Sequence, residues 1–538
     1  MEFNLADLFE TVADVAAEQT AVVADGRRLS YGELDERANR LAHRLARGGI
    51  GAGNFVGVQL ANGPEYLEVM LACFKIRAVP VNVNYRYVSD ELRYLYGDAQ
   101  LVGLVFHSGF GDAVAGALSA LREPRLVLEV EDESPPAGLG GDYEEALAGA
   151  SAVRDFGPRS SDDLYCIYTG GTTGMPKGVL WRHKDIFFAA MGGGDPLSLG
   201  NMISAPEELA GRVMHPGLVA LASPPFMHAS GQWLAFTLLF GGGEVVTLPA
   251  GRFDPEALWQ LAAAESVNIL VIVGDAMAMP ALDWLEEHSD DIDTSSLLAV
   301  GSGGAGLSAV TKRRLAAALP NVMVIDAFGS SETGQLGGSA PQDDPYGAPR
   351  LRVDERTTVL DDELRPVSPG SAVVGRLARS GHIPLGYLGD REKTAATFVE
   401  AQGKRWSLPG DLATVDAQGA ITILGRGSLS INTGGEKVYP EEVERVLREH
   451  PDVADAVVVG APHERFGEQV VAVVQPRSGV ALDAESVRHA CRQRLAAYKV
   501  PRIVVTTDAI ARSPAGKADY RWARALAAQA AAAPGPGT

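Results

Sequence analysis

Cysteine is scarce in this chain. Cys73, Cys166 and Cys491 stand far apart in 538 positions, and none has a partner at metal-ligand spacing. That argues against a disulfide-stapled fold and a thiolate metal site; such residues suit a reducing compartment, where they serve as small buried apolar groups. Basic charge is also short. Lys and Arg number 47 against 68 Asp and Glu, a net charge of −21, which argues against a nucleic-acid surface because that requires a basic face. No apolar run approaches the roughly 18 residues of a membrane span. The most apolar stretch, Ile269 to Val273, is soon broken by Asp275 and Pro280. The opening MEFNLADLFETVADVAAEQT is acidic and has no basic segment ahead of an apolar one, so no secretory signal is evident. The expectation is a cytoplasmic protein with no membrane insertion.

What is present is concentrated in Tyr168-Thr169-Gly170-Gly171-Thr172-Thr173-Gly174-Met175-Pro176-Lys177-Gly178-Val179. Three glycines and three threonines occupy residues 169–174, after the strand-like run Leu164 to Tyr168. Glycines leave backbone N–H groups uncovered, and successive N–H groups pointing inward make a concave anion site. Thr169, Thr172 and Thr173 add hydroxyl donors, and Lys177 adds a point charge suited to phosphate. The spacing is not that of a Walker A loop, because Pro176 precedes the lysine and Gly178 follows it. Taken alone, the segment reads equally well as a flexible polar turn.

A length of 538 residues exceeds one core, so two or more domains are expected. Short β-branched runs (56–60, 78–83, 126–130, 269–273, 322–325) alternate with helical segments such as 30–47 and 308–319. That alternation predicts an α/β body of parallel sheets covered by helices. After Gly375 come short strands with turns, expected to form a small barrel-like part. A smaller α+β unit follows, with helices at 440–449 and 483–496, strands at 453–459 and 468–475, and a basic loop near 512–517. The predicted division is an N-terminal domain 1–425, a hinge 426–428, a mobile C-terminal domain 429–525 and a flexible Ala/Pro/Gly-rich tail 526–538.

Further motifs occur in order along the chain: Leu29-Ser30-Tyr31-Gly32-Glu33-Leu34, the Gly/Thr loop, Ser223-Pro224-Pro225-Phe226-Met227-His228, Gly303-Gly304-Ala305 and Phe328-Gly329-Ser330-Ser331-Glu332-Thr333. Gly386-Tyr387 with Asp390 and Lys393-Thr394, Gly410-Asp411, Gly425-Arg426, Gly434-Gly435-Glu436-Lys437-Val438-Tyr439-Pro440 and Ser513-Pro514-Ala515-Gly516-Lys517 complete the series. This ordered set resembles the adenylate-forming superfamily of acyl-CoA synthetases, adenylation domains and firefly-type luciferases. INTGGEKVYPEEVE and VPVNVNYRYVSDELRYL resemble bacterial ligases for long-chain or steroid side-chain carboxylates.

The resemblance implies two steps: a carboxylate attacks the α-phosphorus of ATP and expels pyrophosphate, then the thiol of coenzyme A displaces AMP. It implies that Thr169, Gly170, Gly171, Thr172, Thr173, Gly174 and Lys177 hold the β- and γ-phosphates. Glu332 would bind Mg²⁺, a hard cation that takes carboxylate oxygen beside phosphate, and Ser331 would face the α-phosphate. Phe328, with Gly329 and Ser330, and Gly303, Gly304 and Ala305 would face adenine. Asp411 would accept from both ribose hydroxyls, Arg426 would reach ribose or phosphate, and Lys517 would bridge carboxylate and α-phosphate once the C-terminal domain closes. His228 would gate the carboxylate or CoA tunnel, Trp233 would line the acyl-pocket wall, and Gly434-Gly435 would let pantetheine pass. Plainer readings stay open from the residues alone: a helix-start carboxylate for Glu332, an Asx-turn for Asp411, surface positions for Arg426 and Lys517, packed side chains for His228 and Trp233, and a tight turn for Gly434-Gly435. The pivot is also open, because Ser428 stands where many relatives have Asp or Lys.

The partner implied is a small-molecule acid, with no nucleic acid. Within the same superfamily the alternative is a biosynthetic enzyme with another acid and acceptor: a diazotase activating nitrite for an aromatic amine, or loading of a carrier-protein thiol. A non-catalytic nucleotide-binding protein would lack Glu332, Asp411 or Lys517, and all three are present. Oligomeric state is not encoded in any of these motifs; a homodimer is only the commonest assembly.

Overall fold

Strand–helix alternation is realised as two eight-stranded sheets with helices between and around them. The computed structural model describes residues 1–532 except 122, 170–174, 198, 250, 252, 339–349, 353–354, 372, 427–428, 430, 434–435, 464–466, 496 and 513–517. At 338, 350, 352, 426, 432, 436, 437 and 467 the backbone alone is described. The first sheet runs Gly334–Gly338, Met323–Ser330, Ala299–Ser302, Ile269–Ile272, Val219–Ala222, Glu244–Thr247, Thr20–Ala24, Arg27–Ser30. It is parallel except for the pair at each end. The second runs Gly386–Tyr387, Lys177–Arg182, Leu164–Thr169, Val79–Asn82, Phe55–Gln59, Gly103–His107, Leu126–Val130, Gly141–Asp142. Only its first two pairings are antiparallel.

Local signals set the helices. Helix Tyr31–Arg47 starts at a capping box in which Glu33 N donates to Ser30 Oγ (3.2 Å) and Ser30 N donates to Glu33 Oε2 (2.8 Å), satisfying two otherwise unpaired donors. Helix Pro64–Lys75 is buried at every residue, as expected of a helix packed on more than one side. The hydrophobic cluster around it takes Val22, Ala220 and Val245 from the first sheet and Val56, Tyr165 and Val179 from the second, so a single core joins both.

The short strands after residue 350 form a seven-stranded antiparallel sheet: Arg350–Arg352, Ala420–Arg426, Asp411–Val415, Gly375–Ser380, Lys404–Ser407, Phe398–Ala401, with Thr357–Leu360 on Gly375–Ser380. Among the described residues its strand path is open. The barrel-like expectation is corrected on that point, since closure needs a last strand to pair with the first.

The C-terminal unit is a five-stranded sheet ordered Glu436–Val438, Ile431–Thr433, Gly467–Pro476, Val453–His463, with Ile503–Thr506 beside Gly467–Pro476. Side chains alternate across it. Ala456, Val458, Val470, Ala472 and Val474 face helices Pro440–Arg448 and Ala484–Arg494, while Val457, Val459, Val471 and Val473 face helix Tyr520–Ala532. This corrects the tail, expected from 526. The chain is helical to Ala532, with Ala523 and Ala527 fully buried on the sheet's second face, because alanine is the best helix former and these two positions lie on one side. The last six residues, like Gly427 and Ser428 of the expected hinge, lie outside the described residues. All three cysteines are free and buried, and no helix among the described residues is long and apolar enough to cross a membrane.

Candidate active site

The Gly/Thr loop closes a hairpin. Strand Leu164–Thr169 pairs antiparallel with Lys177–Arg182, setting Thr169 opposite Lys177; Gly170, Gly171, Thr172, Thr173 and Gly174 lie outside the described residues. The base of the hairpin is fixed from below. Asn82 accepts from Tyr168 N (2.6 Å) and donates through Nδ2 to the carbonyls of Tyr168 (3.0 Å) and Met227 (2.7 Å), while Tyr168 Oη donates to Asp98 (2.7 Å). A Cβ at position 178 would sit 2.6 Å from the Tyr168 ring, so only glycine lets that ring lie across the neighbouring strand. Asn82 thereby ties the loop to the segment carrying His228.

Glu332 occupies a turn between strands Met323–Ser330 and Gly334–Gly338, not a helix start. Ser330 N and Oγ both contact Thr333 Oγ1 (3.1 and 3.0 Å), closing the turn. A Cβ at Gly329 would lie 2.4 Å from the Gly334 carbonyl. Glu332 is 9% exposed; its Oε1 accepts from Tyr387 Oη (2.8 Å) and its carbonyl accepts from Ser407 Oγ (2.6 Å). The carbonyl of Ser331 accepts from Trp181 Nε1 (3.0 Å). Tyr387 in turn pairs with Val179 on the strand that begins at Lys177. The carboxylate turn and the loop hairpin are therefore one braced unit.

The C-terminal ends of adjacent parallel strands supply the next part. Ser302 pairs in register with Asp326, so Gly303-Gly304-Ala305 leaves its strand beside the extension of the neighbouring strand that carries Phe328, paired there with Gly337, at the end of the parallel strands where open α/β sheets bind ligands. Gly304 has φ +90°, and Ser302 Oγ accepts from Gly274 N (2.9 Å) and donates to the Ala305 carbonyl (2.7 Å). A Cβ on Gly303 would lie 3.6 Å from Ser230, which puts the start of helix Ala229–Phe240 against this loop. Half-buried His228 is the N-cap residue of that helix. Trp233, on the same helix, is 5% exposed within the main hydrophobic cluster.

Asp411 is 7% exposed and opens its strand after Gly410 (φ +97°), opposite Arg426. Ser407, which holds the Glu332 carbonyl, stands four residues before it. The structure thus links the strand pair that carries Thr169 and Lys177 to the Ser331-Glu332 turn through Tyr387 and Trp181, with Phe328, Gly329 and Ser330 on the strand leading into that turn. It sets Gly303, Gly304 and Ala305 beside the His228 helix, and links Asp411 to Glu332 through one short segment. The Arg426 side chain, Gly434, Gly435 and Lys517 lie outside the described residues. Sequence reasoning missed Asn82, Trp181 and Ser407. A polar residue ending the buried run Val79–Asn82 was a usable signal for the first.

Residues 9–388 match the family model described as AMP-binding enzyme, and residues 442–517 match the AMP-binding enzyme C-terminal domain. The chain belongs to the AMP-binding enzyme family. Two curated members align with it nearly end to end. The 3-oxocholest-4-en-26-oate–CoA ligase of Rhodococcus rhodochrous is 47% identical over 97% of this chain and 96% of its own length. The medium/long-chain-fatty-acid–CoA/3-oxocholest-4-en-26-oate–CoA ligase of Mycolicibacterium smegmatis is 45% identical over the same shares. Among solved structures, ATP-bound MatB from Rhodopseudomonas palustris superposes with a TM-score of 0.81 at 28% identity, covering 98% of this chain and 99% of MatB. As a member of this family, the chain is an adenylate-forming ligase of α/β fold with a large N-terminal and a smaller C-terminal domain.

Proposed function

We propose that the enzyme is an ATP-dependent, AMP-forming acid–CoA ligase acting on a long-chain fatty or steroid side-chain carboxylate. One observation carries the reading: the Gly/Thr hairpin and the Glu332 turn are braced together by Tyr387 and Trp181, in a chain that aligns from end to end with ligases of those acids. In the first half-reaction the backbone N–H groups of the loop and the Lys177 ammonium bind the outer phosphates. The Phe328 ring and the 303–305 segment orient adenine, Asp411 holds the ribose, and Lys517 neutralises charge where the acid oxygen meets the α-phosphorus. Little covalent work falls to these residues, so positioning and charge set the rate. In the second, the CoA thiol displaces AMP, with Gly434-Gly435 assigned to the pantetheine path and His228 to its gate.

Mg²⁺ fits this donor set. Among the described residues no cluster of three His, Cys, Asp or Glu could cage a metal. One buried carboxylate has Oε1 held by a phenol, and the pattern of one carboxylate completed by substrate phosphates is that of Mg²⁺. The ion would offset phosphate charge when bound. Tyr387→Phe removes the hydroxyl that orients Glu332. The half-saturating Mg²⁺ concentration for adenylation is expected to rise by roughly tenfold, the lower end for loss of a hydrogen bond to a ligand. An unchanged Mg²⁺ titration would count against Glu332 as its ligand.

An acid panel tests the whole reading. Pyrophosphate release is measured with and without CoA, using fatty acids of graded length, a 3-oxo steroid side-chain acid, and nitrite with an aromatic amine. The expected result is CoA-dependent turnover and a thioester product from one of the first two classes. CoA-independent turnover, or product only with nitrite, would replace it with the amine-acceptor reading.

A further inference from the structure

Lys177 ends the loop assigned to the triphosphate, yet its ammonium is engaged elsewhere. Nζ makes a close ion pair and hydrogen bond with Asp390 Oδ2. The pair is accessible, with the lysine side chain 32% and the aspartate 25% exposed. It borders a cavity of about 390 Å³ whose lining includes Tyr94, Asp98, Lys177, Asp390, Arg391 and Glu392. Three carboxylates against two cations make that cavity unsuited to phosphate and attractive to an ammonium.

The two partners differ in how they are held. Asp390 Oδ1 accepts from Lys393 N (2.9 Å), capping helix Arg391–Thr397, and its carbonyl accepts from Thr394 Oγ1 (2.6 Å). Leu388 N donates to the Gly178 carbonyl (2.8 Å), so the whole segment is stitched to the strand that begins at Lys177. Asp390 is thus anchored without the lysine, whereas Lys177 carries its charge on a flexible four-carbon stem. The hydrogen bond from Lys177 holds the Asp390 carboxyl below the ordinary carboxylate range, as a carboxylate that stays charged requires.

The geometry points to Asp390 as an exchange counter-ion: Lys177 leaves it for the phosphates when ATP binds and returns to it as pyrophosphate departs. Any ligand that takes Lys177 must first break this pair, so the aspartate weakens the hold on triphosphate and pyrophosphate alike and favours product release. The inference deepens the proposed function and rests on its reading of Lys177 as a phosphate-binding side chain.

Asp390→Asn separates the ion pair from the cap, because asparagine caps a helix as well as aspartate. Asp390→Ser, also a good cap, is the second variant. With the magnesium salt of pyrophosphate and with a non-hydrolysable ATP analogue, calorimetry on the full-length variants is expected to give dissociation constants roughly two- to fivefold lower than the unaltered enzyme, the range of exposed ion pairs. The effect should vanish in a Lys177→Ala background, since the two residues act as a coupled pair. Three results overturn the proposal: unchanged or weaker pyrophosphate binding in both variants, a shift that persists without Lys177, or a shift equal for AMP, which carries neither outer phosphate. If Lys177→Ala alone leaves pyrophosphate affinity unchanged, the phosphate-binding reading fails first, and the exchange with it.

Discussion

Lys517→Ala is expected to lower pyrophosphate release by roughly 10²–10³-fold or more, the cost of removing one donor aimed at developing charge, while largely sparing thioester formation from supplied acyl-AMP and CoA. The asymmetry follows from the chemistry. Charge gathers on the carboxylate and α-phosphate oxygens during adenylation, and the second half-reaction begins after that charge has left with pyrophosphate. The segment bearing Lys517 is flanked by Arg512 and Ala518, which pair with each other across it. Arg512 is clamped to Asp455 through both Nη2 and Nε (2.6–2.9 Å), so the residues flanking the segment that carries the lysine are tied to the C-terminal sheet. Substituting it should leave that sheet and its cores intact, and the melting temperature should barely move. The check is a pair of single-turnover assays, one for each half-reaction. Equal losses in both would mean that Lys517 acts on something common to them, such as domain closure, rather than on the adenylation transition state.

Much of this site was legible because its chemistry is local in sequence. A glycine-rich loop between two strands, a Ser-Glu turn and a Gly-Asp pair each keep their meaning whatever surrounds them. The bracing was not legible, because it is made by partners far away in the chain. Tyr387 sits in a two-residue strand whose existence depends on pairing with Val179 and Leu180, and no periodicity reveals a strand that short. Asn82 reads as the end of a buried strand, yet its two carbonyl partners are 86 and 145 residues on. Lys177 reads in the sequence as a point charge at the end of the loop; it is also the first residue of a strand whose alternate residues Val179 and Trp181 are fully buried. The closing helix was misread because alanine, proline and glycine were weighed together as loop-forming. Alanine alone favours helix, and the Pro/Gly residues begin only after Ala533. The open path of the third sheet could not be foreseen, since closure depends on register between distant strands.

Far from the site, Lys75→Met is expected to destabilise the N-terminal domain by about 3 kcal/mol, the low end for removing one partner of a buried charge pair. Lys75 is the last residue of the fully buried helix, and its side chain is completely inaccessible. Nζ donates to Glu10 Oε1 (2.5 Å) and Asp35 Oδ1 (2.7 Å). Both acids keep other donors, Arg159 for Glu10 and Arg154 with Asn39 for Asp35, which is why the low end applies. Burial pushes each carboxyl upward. For Glu10 the Arg159 hydrogen bond and the Lys75 charge outweigh it, and for Asp35 the Lys75 charge and hydrogen bond do, so both lie below the ordinary range. Carboxyls lowered on folding add stability that is fully present above their unfolded value of about 4 and is lost as pH falls through the folded values. The gap between unaltered protein and variant, read from urea midpoints, should therefore be constant from about pH 5 to 7 and shrink below about pH 4. Adding Asp35→Asn to Lys75→Met should recover part of the loss by removing a charge left short of a partner. A gap that widens on acidification, or a double variant worse by the sum of the single costs, would show that Lys75 stabilises this core by packing its stem and not by neutralising the acids around it.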